Sequence, residues 1–110
     1  MEILPPLKPF LDSEGRLTAM PVKRKRKDLA LGYLAGKFEA NRIYSEREVN
    51  GVIGRWTCFH DPATVRRELF DRRFLGREPT GRAYWLEPCQ PAFSDSGELI
   101  LPERRGAPPL

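Results

Sequence analysis

The sequence predicts an α+β domain of the winged helix-turn-helix type: three helices, a β-hairpin wing after them, and a short extended N-terminal arm before them. Three observations predict it. Apolar residues recur at i, i+3, i+4 and i+7 in two segments, Leu31-Leu34-Ala35-Phe38 and Val49-Val52-Ile53-Trp56, which puts each set on one helical face. Two helix starts are marked chemically, at Ser45-Glu46-Arg47-Glu48 and at Asp61-Pro62. Two alternating segments, Leu75-Gly76-Arg77-Glu78 and Arg82-Ala83-Tyr84-Trp85, flank Pro79-Thr80-Gly81 in the pattern of strands about a tight turn.

The 110 residues suffice for one core. They divide into an arm with a turn over 1–21, a winged-helix-like domain over 22–88, and a C-terminal extension with a mobile tail over 89–110. In the arm, Lys8 to Pro21 reads as two extended pieces around Asp12-Ser13-Glu14-Gly15, anchored by Phe10 and Leu17. The segment Phe93 to Leu99 repeats that turn pattern, so the two turns either pair or coincide by chance. Beyond Pro102 the chain has too little apolar surface to order itself.

The first helix is expected from Val22 or Lys23 to Phe38, with Asn41 as a left-handed stop. Its first turns hold Lys23-Arg24-Lys25-Arg26-Lys27, five cations beside the positive end of a helix dipole, which call for an external anion or neighbouring acids. The second helix opens at a capping box, with Tyr44 and Val49 as its hydrophobic staple, and ends near Trp56. The third opens at Asp61 and stops around Arg72, with Val65 and Leu69 on its inner edge.

The net charge of +4 is unevenly placed: residues 22–88 carry fifteen bases and nine acids, whereas both flanks are slightly acidic. A basic folded middle attracts polyanions. Two cysteines, Cys58 and Cys89, are too few for a disulfide framework, and no run of about 18 apolar residues is present, so a cytoplasmic protein with reduced thiols and no membrane contact is expected.

Leu17 and Pro21 ahead of Lys23-Arg24-Lys25-Arg26-Lys27, then Tyr44-Ser45-Glu46-Arg47-Glu48-Val49-Asn50, Arg66-Arg67-Glu68-Leu69, Phe74-Leu75-Gly76-Arg77, and Gly81 with Tyr84-Trp85 together resemble a family of bacterial domains of unknown function. The likeness covers roughly residues 10–86. The family often follows a helix-turn-helix regulator domain and also occurs alone, so the resemblance implies a bacterial protein tied to transcriptional regulation, without supplying an activity. One position departs from the family pattern: Arg73 stands where such domains usually end the third helix with glycine. Either Arg73 is left-handed, with strain on the order of 1 kcal/mol, or the helix ends differently; both outcomes place another positive charge beside the third helix.

These readings give a candidate nucleic-acid surface of Lys23, Arg24, Lys25, Arg26, Lys27, Arg66, Arg67, Arg73, Arg77 and Arg82. The basic run would contact phosphates, Arg67 with Arg66 would reach guanine edges or phosphates, and Arg77 and Arg82 on the wing would reach the neighbouring backbone. Against this, Arg67 shares its outward face with Glu68 and Asp71, and Arg66 has an internal alternative in Glu48 or Asp61. DNA is the expected partner, with RNA left open. The alternative is a protein-interaction module or adaptor in a nucleoprotein assembly, using whichever of Tyr84 and Trp85 is exposed on the wing unless the arms at Phe10 or Phe93 cover it.

No glycine-rich phosphate loop, serine elbow or pair of acids at acid–base spacing is present, so an enzyme is not expected. Cys58, His60 and Cys89 offer three metal ligands where a structural zinc site uses four in two close pairs. The expectation is therefore no metal and no cofactor, with His60 at a helix start and Cys58 as a small apolar filler.

Overall fold

In the computed structural model, which describes residues 4–102, the chain turns helical earlier than its sequence predicts. Leu4–Leu7 form one α-helical turn (α1) and Lys8–Phe10 continue as a 3-10 turn, so Phe10 is not in an extended piece. Proline's fixed φ suits helical turns as well as extended chain, and a helical path places Leu7 wholly inside the core. Extended pairing in the arm is confined to an antiparallel bridge between Leu11 and Leu17. The turn between them is as expected. The Asp12 carboxylate accepts from the backbone N–H groups of Glu14 and Arg16 at 2.9 and 2.8 Å, and Gly15 takes φ +80°.

Leu17 then fixes the arm to the rest. Its N–H donates to the Trp56 carbonyl, and its own carbonyl accepts from the Cys58 N–H, each at 2.8 Å.

The three main helices are α2 (Arg24–Ala35), α3 (Glu46–Trp56) and α4 (Pro62–Asp71). Helix α2 is shorter than expected: past Gly36 the Lys37 and Phe38 N–H groups donate to the carbonyls of Leu34 and Ala35, three residues back and not four, and Phe38 is still buried through these turns. Asn41 has φ 60°, in the left-handed region its side chain tolerates. Helix α3 starts with both halves of the capping box: the Glu48 N–H donates to Ser45 Oγ at 3.0 Å, and the Ser45 N–H donates to Glu48 Oε1 at 2.9 Å. Tyr44 and Val49, the staple pair, are both buried. Helix α4 is capped by Asp61, which accepts from the Thr64 N–H, and buries Val65 and Leu69.

After α4, Arg73 adopts φ 65°. The chain then forms the hairpin that the sequence reading expects as a wing, β1 (Leu75–Arg77) antiparallel to β2 (Tyr84–Leu86), with Gly76 opposite Trp85 and Gly81 at φ 74° in the turn. Tyr44, between α2 and α3, adds an antiparallel bridge to Tyr84 through a reciprocal pair of hydrogen bonds of 2.7 and 2.8 Å. A second small hairpin follows, β3 (Ala92–Phe93) with β4 (Leu99–Ile100). The two similar turns therefore close separate structures: Leu11 bridges Leu17, and Phe93 pairs with Leu99. Residues 103–110 of the expected tail lie outside the described residues.

One core joins these parts: Leu7 and Leu17 from the arm meet Leu31 and Leu34 of α2, Ile53 of α3 and Leu69 of α4, all at most 1% exposed. The fold is α+β. Among the described residues no helix is long and apolar enough to cross a membrane.

Candidate nucleic-acid interface

Helix α4 sits between two differently charged neighbours, and its periodicity decides which residue meets which. With about 100° between successive residues, Val65 and Leu69 point inward, Arg66 and Phe70 face one flank, Glu68 and Arg72 face the other, and Arg67 points out. On the first flank, Ala63, Thr64, Arg66, Arg67, Phe70, Asp71, Arg77 and Tyr84 line a groove of about 400 Å³ between α4 and the wing. The Arg77 guanidinium lies 4.5 Å from the Phe70 ring centroid, which holds it at the groove wall. Arg67 is exposed and makes no ion pair among the described residues.

Arg66 contributes less than its place in the groove implies. It donates to Asn50 Oδ1 and pairs with Glu46 at 3.1 Å, both on α3. The internal partners expected for it were Glu48 and Asp61. Glu48 is instead held by its capping role and by Arg42, and Asp61 by the start of α4.

On the opposite flank, Glu68 is largely buried between Lys27 of α2 and Arg72, which stands 3.6 Å away. One of the two acids expected on the outer face of α4 is thus neutralised within the protein, and Asp71 remains exposed. Arg72 also donates to Asp28 Oδ1 at 2.6 Å. Sequence reading missed this Lys27-Glu68-Arg72-Asp28 chain. The available signal was an aspartate at the inner edge of a helix whose first turn is otherwise all basic.

The basic run does not act as one patch. Because successive side chains fan around the axis of α2, Lys25 pairs with Glu98 at 3.5 Å, Arg26 lies 5.6 Å from the Phe10 ring centroid, and Lys27 meets Glu68. Neighbouring acids thus answer the unfavourable dipole in part, while Lys23 and Arg24 are exposed and form no ion pair among the described residues. Arg73 donates to the Pro102 carbonyl. Arg82 is exposed on the wing next to Gly81, whose Cα region the Arg77 side chain approaches. The structure therefore brings Arg66, Arg67 and Arg77 together, and directs Lys25, Arg26 and Arg73 elsewhere.

The aromatic wing is not an exposed surface. Tyr84 and Trp85 are 3% and 1% exposed: the Tyr84 ring lies at the floor of the α4 groove, its centroid 5.9 Å from the Arg66 guanidinium, and the Trp85 indole packs closely on Gly76. A Cβ at Gly76 would fall 2.3 Å from Trp85 Nε1, so only glycine permits this approach, and the indole N–H donates to Glu87 Oε1 at 3.1 Å.

Cys58 is likewise not a filler. It is exposed, and its thiol donates to Asp12 Oδ2 at 3.5 Å. Desolvation by the surrounding protein pushes that thiol up, and the hydrogen bond to Asp12 reinforces the shift. The Arg16 backbone N–H holds the Asp12 carboxyl below the usual range, and the Ser45 backbone N–H does the same for Glu48. Among the described residues no group of three or more His, Cys, Asp or Glu side chains is arranged to hold a metal ion.

Neither a curated protein nor a solved structure matches the chain. A family model described as an uncharacterized protein conserved in bacteria (DUF2087) matches residues 16–86, from the Asp12–Arg16 turn through the last residue of the wing. That span is well over half of the 110 residues, and the chain belongs to this family of uncharacterized bacterial proteins.

Proposed function

We propose that the protein binds duplex DNA through the exposed face of α4 and the β1–β2 wing, as a winged-helix module in transcriptional regulation, and that its role is binding, not catalysis. The observation that carries this reading is the groove between α4 and the wing, where Arg67 is unengaged and Arg77 is stacked on Phe70 at the opposite wall. The order of elements supports it: three helices, then a hairpin, with Tyr44 between the first two main helices bridging the second hairpin strand. In that geometry α4 is the helix offered to the major groove and the wing reaches the adjacent backbone. Neutralisation of Glu68 by Lys27 and Arg72 removes one source of phosphate repulsion from the face.

Fluorescence-anisotropy titration against a mixed duplex at low and then physiological salt tests the proposal. Affinity should fall steeply with salt, and Arg67→Ala and Arg77→Ala should each weaken binding and lower the salt slope by about one. Lack of binding at low salt, or binding indifferent to both substitutions, refutes it. Stronger binding to an RNA of the same sequence would redirect the reading to RNA.

A further inference from the structure

The hairpin β3–β4 lies beyond the region that the family model matches, and its chemistry is opposite to that of the domain it covers. Residues 89–102 contain two acids, Asp95 and Glu98, and no base, whereas residues 16–86 carry sixteen bases and eight acids. We infer that this hairpin is an intramolecular restraint that competes with polyanions for the basic start of α2 and the end of α4. The inference rests on the proposed nucleic-acid reading for its biological meaning, though the contact itself does not.

Two contacts place it. Glu98 pairs with Lys25, and the Pro102 carbonyl accepts from Arg73. Both cations belong to the set that sequence alone marks for nucleic acid, and both are engaged by the same fourteen-residue segment. The hairpin is seated by packing as well as by charge. A Cβ on Gly32 would lie 3.5 Å from the Phe93 ring, an ordinary contact distance, so Phe93 lies directly over α2 at that position. Lys25 and Gly32 are seven residues apart, which puts them on one face of the helix two turns apart. Phe93 and Glu98 thus fix the hairpin lengthwise along that face. Gln90 anchors the approach, donating to the carbonyls of Phe74 and Glu87 at 2.9 and 2.8 Å. The apolar contact keeps the hairpin in place, while the exposed Lys25–Glu98 pair is weak enough for a phosphate to displace.

The test uses the full chain with Glu98→Gln, which preserves the backbone hydrogen bonds of the turn, and Asp95→Asn, which removes the same charge from a side chain that does not touch Lys25. Each is titrated against the mixed duplex and against heparin at low salt, alone and with Lys25→Ala. Glu98→Gln should bind both polyanions about two- to fivefold tighter than wild type, as expected for release of a surface pair. Asp95→Asn should gain less, and the Glu98→Gln advantage should vanish in the Lys25→Ala background. Equal gains from both substitutions, no gain from Glu98→Gln, or a gain that survives Lys25→Ala overturns the inference and leaves the duplex reading standing. The expected pattern on heparin without duplex binding supports the restraint and overturns the nucleic-acid reading. No binding to either polyanion by any variant overturns both.

Discussion

Arg72 donates from Nε to Asp28 Oδ1 at 2.6 Å, joining the end of α4 to the first turns of α2 through a carboxylate that is only 3% exposed. Glu68 and Lys27 extend the same chain of alternating charge. The arrangement answers the problem that five cations pose at a helix start by taking one of them into an ion-pair network with α4.

Removing one member of a buried pair leaves the other uncompensated. Asp28→Ala should therefore cost about 2–4 kcal/mol, toward the lower part of the range for buried pairs because Arg72 keeps some solvent contact. Asp28→Asn retains an acceptor and should cost less. Urea denaturation compares the two, and equal losses would show that the charge, which both variants remove, and not packing or the retained acceptor, is what Asp28 supplies.

Gly76 admits no side chain. Its substitution by alanine puts a Cβ 2.3 Å from the Trp85 indole nitrogen, so Gly76→Ala should destabilise by about 2–3 kcal/mol or prevent folding, with a change in Trp fluorescence as the indole is displaced. A variant of wild-type stability with unchanged emission would contradict that geometry.

At Arg73 the φ of 65° favours glycine over any branched residue. Arg73→Gly relieves the strain but loses the hydrogen bond to the Pro102 carbonyl, and should fall within about 0.5 kcal/mol of wild type. Arg73→Val should be less stable than Arg73→Gly by about 1–2 kcal/mol in thermal or chemical denaturation.

Ser45→Ala removes the side-chain half of the capping box and should lower stability by about 1 kcal/mol, shifting the urea midpoint without changing the slope.

Acid acts on the same box. The folded Glu48 and Asp12 carboxyls sit below their ordinary values, so the stability they contribute is complete above those values and is lost as protons bind in the folded state. The urea midpoint should begin to fall as pH drops below about 4.3 and continue down through the folded values. Glu48→Gln should flatten part of that fall, and an unchanged acid profile would remove Glu48 from the account.

What was legible in the sequence is what local chemistry dictates. The Ser45–Glu48 box, the Asp61-Pro62 start and the 75–86 hairpin all follow from interactions spanning a few residues, whereas the left-handed Arg73 was one of two outcomes that the family resemblance left open. The helical path of residues 4–10 was not legible, because proline-rich segments satisfy helical turns and extended chain alike. Nor was the fate of the cations. Whether Lys25 meets solvent or Glu98, and whether Arg66 meets a ligand or Asn50, depends on contacts between residues sixteen to more than seventy positions apart. The wing aromatics failed for a related reason: alternation puts Tyr84 and Trp85 on opposite faces, but here both faces are covered.

The reciprocal hydrogen bonds between Tyr44 and Tyr84 tie the wing to the residue immediately before the α3 capping box. A wing attached only through its own strands could hinge as a loose flap; this one shares a cooperative unit with the start of α3. Its amide protons should exchange with solvent on the same timescale as those of the helices, and a polyanion meeting this surface would encounter a preorganised shape that loses little conformational entropy on contact.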